Sequence, residues 1–131
     1  MTIKNRRNTS DKIDIYRSFF SGLTNVYGTY DPETGRAYQA KERVSKNVFL
    51  NHLMGRKPYG VYLLVKDRTS AVVADFDTED RFAVMDFISR AKHYGISAYV
   101  ERSKSKGYHV WIFFEIGLVF ALKARLVAHY I

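Results

Sequence analysis

Apolar residues recur at helical spacing early in the chain: Ile13, Ile15, Tyr16, Phe19, Phe20 and Leu23, with Gly22 close behind. This spacing predicts a short amphipathic helix over about 12–22. Two short runs follow, 26–30 and 36–40, separated by Asp31-Pro32-Glu33-Thr34-Gly35. The Asp-Pro step and the glycine supply turn chemistry, so the runs read as strand, turn, strand. Ser45 is placed to cap a second helix with Val48, Phe49, Leu50, Leu53 and Met54 apolar, and Gly55 ends it. The run 59–65 reads as a buried strand that forms a hairpin with 70–76. A third helix is expected over 79–94, with Val84, Phe87, Ile88 and Ala91 on one face and Gly95 after it. Strands at 96–102 and 107–115 follow, then a helix over 118–131.

Such an order predicts an α+β fold: a largely antiparallel sheet with helices packed on it. The polar, basic residues 1–11 read as a flexible arm, and 12–131 as one domain. The last helical pattern runs to Ile131 with no closing glycine. That predicts the leading part of a longer protein, incomplete at its C-terminus.

Composition narrows the class. Of 131 residues, 47% are hydrophobic and 15% aromatic, enough to bury a core and unlike a disordered chain. No apolar run approaches the length of a membrane span, and no apolar stretch follows the charged start as in a secretory signal. Cysteine is absent, which removes disulfides and thiolate zinc sites and fits a cytoplasmic protein. The net charge of +8 favours a polyanionic partner such as nucleic acid. Lys46, Arg56 and Lys57, around the second helix, and Lys104 are candidates to follow a phosphate backbone; a solvated helix face is the plainer alternative.

Two motifs carry chemistry. In Ala71-Val72-Val73-Ala74-Asp75-Phe76-Asp77, a buried strand ends in two carboxylates two residues apart, hence on one face. Like charges so placed repel unless a cation lies between them, and Mg²⁺ or Mn²⁺ suits both carboxylate and phosphate oxygens. The plainer alternative is a solvated strand end with Asp77 capping the next helix. In Glu101 to Trp111, two strands are joined by a basic turn. Ser103 and Ser105 bring hydroxyls, and Lys104 and Lys106 bring charge. Gly107 allows close approach or positive φ, and His109 opens the next strand. Those groups, converging at one hairpin mouth, can bind a triphosphate. An ordinary charged hairpin tip is the alternative.

Taken together, the acidic strand end and the loop Ser103-Lys104-Ser105-Lys106-Gly107-Tyr108-His109 resemble the motif pair of the archaeo-eukaryotic primase superfamily. From Gly60 to Phe114 the chain is similar to primase–polymerases found with CRISPR and other mobile-element or defence loci. The resemblance implies a primase/RRM-like core that adds nucleotides to a 3′-hydroxyl on a template. Asp75 and Asp77 would hold Mg²⁺ or Mn²⁺. Ser103, Ser105, Lys106, Gly107 and His109 would bind the nucleoside triphosphate. It also implies DNA as template and primer, roles in replication or repair, and helicase or nuclease partners within a longer protein. Family members add a third metal-binding carboxylate on a later strand, and none follows here. Glu101 is acidic but out of the expected place.

Two other functions stay open. A catalytically incomplete module could bind nucleic acid or nucleotide without chemistry. A metal-dependent nuclease is the other, but its usual spacings fail: Ser103, not lysine, stands two residues after Glu101, and no His-x-His occurs.

Overall fold

The computed structural model describes residues 6–115 and 119–131. The chain divides after Val65 into two compact units.

The first unit opens with α1 (Thr9–Phe19). It starts inside the segment expected to be an arm, because Asn8 makes a capping box. The Asp11 amide donates to Asn8 Oδ1 at 2.8 Å, and the Asn8 amide donates back to Asp11 Oδ2 at 3.3 Å. Residues 1–5 of the expected arm lie outside the described residues. Strands β1 (Tyr27–Tyr30) and β2 (Ala37–Ala40) pair antiparallel as the sequence predicts. Asp31 Oδ1 accepts from the Glu33 and Thr34 amides in the turn between them. The Thr34 and Glu33 amides hold its carboxyl below the usual range. Helix α2 (Lys46–Leu53) follows, with Ser45 at the cap position, although its side chain makes no hydrogen bond to the helix. The core joins Ile13, Tyr27, Ala40, Val44, Phe49 and Tyr59. Burial pushes the Tyr59 phenol up to about 12.

The run 59–65 is not the expected partner of 70–76. Its backbone enters the first unit instead, where Gly28 and Gly60 exchange two hydrogen bonds of 2.7 and 2.8 Å. An apolar run shows that a segment is extended and partly buried, but not which edge it meets.

In the second unit come β3 (Arg68–Thr69), β4 (Ala71–Phe76), α3 (Arg81–His93), β5 (Tyr99–Arg102), β6 (Tyr108–Phe113), β7 (Val119–Phe120) and α4 (Ala121–Tyr130). The start of the expected last helix, at Leu118, lies outside the described residues. Strands β4, β6 and β5 form an antiparallel sheet in that order, and β3 pairs with β7. The fold is α+β with antiparallel sheets, as the pattern predicts. One face of the three-stranded sheet carries Val110 and Ile112, both buried, and Phe76, whose ring meets Phe87 of α3 edge-on at 5.6 Å. Alternation sends Asp75, His109 and Glu101 to the opposite face.

Candidate active site

Register builds the site. In the antiparallel ladders Asp75 of β4 stands directly opposite His109 of β6, and His109 stands directly opposite Glu101 of β5. Directly opposed residues share a face, so three titratable side chains form one row across the sheet. His109 Nδ1 lies 2.9 Å from Glu101 Oε1, and Nε2 lies 3.6 Å from Asp75 Oδ1. The first is a hydrogen bond; the second is too long for one. The Trp111 indole N–H donates to the same Glu101 Oε1 at 3.0 Å. The Asp75 side chain is 62% exposed and the His109 side chain 33%, so the row opens to solvent.

Asp77 follows β4 by one residue. It does not cap the next helix: Asp80 does, accepting from the Phe82 amide at 2.9 Å. The capping role read for Asp77 therefore falls to Asp80, and Asp75 and Asp77 both stand exposed at the strand end.

The basic loop is held against this strand end by its glycine. Gly107 is buried with φ of +82°, and a Cβ there would lie 1.8 Å from the Phe76 carbonyl oxygen and 3.2 Å from Asp77 Cα. Only glycine permits both. The Ser103 amide donates to the Gly107 carbonyl at 3.0 Å and closes the turn. Glu79, just after β4, accepts from the Gly107 amide at 3.3 Å and pairs with Arg102 at 3.6 Å. These contacts fix the base of the loop and leave Lys104, Ser105 and Lys106 exposed beside Asp77. Tyr108 is on the other face. Its hydroxyl meets Arg81 Nε at 3.4 Å, a contact that raises the Arg81 guanidinium above its ordinary value.

Of the predicted site residues, the second unit brings Asp75, Asp77, Gly107 and His109 together, with Ser103, Ser105 and Lys106 on the adjoining loop. The candidate nucleic-acid residues Lys46, Arg56 and Lys57 belong to the first unit. Lys46 is engaged there, pairing with Asp14 at 3.0 Å and donating to Ser10 at 3.0 Å. Arg56 is exposed. Lys57 lies over the rings of Tyr27 and Tyr38 and lines a cleft of about 410 Å³ with Arg43, Asn47 and Asn51.

Glu101 is the residue that motif spacing passed over. The signal was the hairpin: once Ser103 and Gly107 close the turn, 102 must face 108 and 101 must face 109.

The donor set fits a hard divalent cation. Mg²⁺ commonly takes one or two protein carboxylates and fills its shell with phosphate oxygens and water. Among the described residues no group of three His, Asp or Glu side chains is set to hold a metal by itself. Glu101 is turned to His109 and Trp111 rather than offered as a third ligand.

The sequence that builds this arrangement has a counterpart among known families. The profile of one family, described as the archaeo-eukaryotic primase domain of TOTE conflict systems, matches residues 11–131. The chain belongs to this family. The match takes in both units and nearly the whole chain. No curated protein sequence matches it. Archaeo-eukaryotic primase domains are a nucleotidyltransferase-type family, generally dependent on divalent metal and acting on nucleic acid and nucleoside triphosphates. No helix among the described residues is long and apolar enough to cross a membrane.

Proposed function

We propose that this primase domain adds nucleoside monophosphates to the 3′-hydroxyl of a primer on a DNA template. The observation that carries this reading is the pairing of Asp75 with His109 across β4 and β6, with the basic loop anchored on the same strand end. In the reaction the 3′-oxygen attacks the α-phosphorus of the incoming triphosphate, a phosphodiester bond forms, and pyrophosphate leaves. Asp75 and Asp77 hold the Mg²⁺ or Mn²⁺, which when bound lowers the charge cost of the in-line displacement. Lys106, with Ser103, Ser105 and the loop backbone, binds the triphosphate oxygens. His109 reaches the same nucleotide from the sheet. Lys104 at the loop tip, Lys57 at the 410 Å³ cleft, and the exposed Arg56 contact the nucleic-acid backbone. Lys46, bound to Asp14, contributes less. A cytoplasmic setting, where nucleic acid and nucleoside triphosphates are both present, fits this reading. The family description names a conflict system, which supports a setting in genome defence; a role in DNA replication or repair, beside helicase or nuclease partners, belongs to the same proposal.

Extension of a labelled primer–template with Mn²⁺ and all nucleotides tests the reading. Asp75→Ala and Asp77→Ala should each abolish growth, while His109→Ala should mainly raise the nucleotide KM. Full activity in both aspartate variants would sink the metal assignment. Absence of growth in the unaltered chain, with nucleotide binding retained, would favour the binding-module alternative.

A further inference from the structure

We infer that Glu101 is a positioning residue, which fixes the tautomer and orientation of His109 so that Nε2, bare in the neutral ring, faces the Asp75 side of the sheet as an acceptor for a hydroxyl or amino group of the incoming nucleotide. The inference rests on the proposed function for its consequence, but not for its geometry. An indole N–H can only donate, so Glu101 Oε1 is the acceptor at 3.0 Å from Trp111 Nε1. That same oxygen lies 2.9 Å from His109 Nδ1. An ionised carboxylate only accepts, so Nδ1 carries the hydrogen. The other nitrogen, Nε2, then points across the sheet to the Asp75 side, 3.6 Å from Oδ1. A histidine that binds a ligand through one nitrogen is commonly held through the other by a carboxylate, and the ring's tautomer follows from that second bond.

Glu101 is on an edge strand and half exposed, and neither it nor His109 contributes to the core. Trp111 holds the carboxylate from the far side, so Glu101 has two donors on one oxygen and little freedom to turn. Without Glu101 the imidazole keeps its place in the strand but loses the bond that selects Nδ1–H, and its ring can flip.

The test has two readouts. The first is the tautomer of His109 from long-range nitrogen–proton NMR spectra of the neutral ring. Its signals are identified among the four histidines by comparison with His109→Ala. The unaltered chain should show hydrogen on Nδ1. Glu101→Gln, whose amide oxygen still accepts, should keep it, and Glu101→Ala should lose it. The second readout is primer extension. Glu101→Ala should raise the nucleotide KM by about tenfold, with a smaller change in kcat, and Glu101→Gln should stay close to the unaltered chain. Hydrogen on Nε2 in the unaltered chain, or a tautomer indifferent to Glu101→Ala, would overturn the inference. If no form of the chain extends a primer, the proposed function fails, and the tautomer alone still decides the assignment of Glu101.

Discussion

A Cβ on Gly107 would meet the Phe76 carbonyl oxygen at 1.8 Å, and the φ of +82° is strained for any other residue. Both penalties fall on one atom, and both act where the phosphate loop joins the acidic strand. Gly107→Ala should therefore cost about 1–3 kcal/mol or more in urea denaturation, and it should pull His109 out of register with Asp75. A loss under about 0.5 kcal/mol would mean that the close approach is wrong. The sequence showed that this position needed glycine, because a basic hairpin tip before a strand wants positive φ. It did not show what the backbone comes close to, which is the chain's own Asp77 rather than a ligand. Asp75, Asp77 and His109 could be singled out in the sequence from their order, an acidic strand end followed by a basic hairpin, with a solvated strand end as the plainer alternative. Glu101 was not, because its distance from His109 is set by pairing across a hairpin and not by spacing along the chain.

Between β4 and α3, four residues separate the sheet from the helix, and two aspartates compete for the cap. Asp80 takes it, accepting from Phe82. Asp80→Ala should then destabilise the fold by about 1 kcal/mol, whereas Asp77→Ala should change stability by less than about 0.5 kcal/mol while removing activity. Equal losses of stability would return Asp77 to a structural role. Elements with local signals were legible: the β1–β2 hairpin through its Asp-Pro turn, α2 through Ser45 and Gly55, and the β5–β6 hairpin through its basic tip. The start of α1 was misplaced because the apolar period begins at Ile13, while the capping box that starts the helix is polar and lies upstream. The partner of β4 was misassigned for a different reason. Adjacent apolar runs suggest a hairpin, but β4 pairs with β6, some 35 residues on, and non-local pairing leaves no mark in either run.

Across the whole chain, a net charge of +8 stands beside a locally acidic strand end, Asp75 and Asp77. In the proposed reaction the excess lysine and arginine would attract polyanions, while the acidic strand end would repel them unless a divalent cation came too. Composition made the first half legible. The second required the sheet, because only its register puts a histidine and a basic loop beside the two carboxylates. The division after Val65 had no signature in composition, since both halves carry similar apolar strands and helices. The account stands most directly on where a divalent cation and a triphosphate meet the protein. The decisive measurement is paramagnetic broadening of backbone NMR signals by substoichiometric Mn²⁺ with a nucleoside triphosphate. The account predicts that signals around Asp75–Asp77, Lys106–His109 and the Trp111 indole broaden first, and that the Asp75→Ala/Asp77→Ala double variant loses the effect. Broadening centred elsewhere, or unchanged in the double variant, would contradict it.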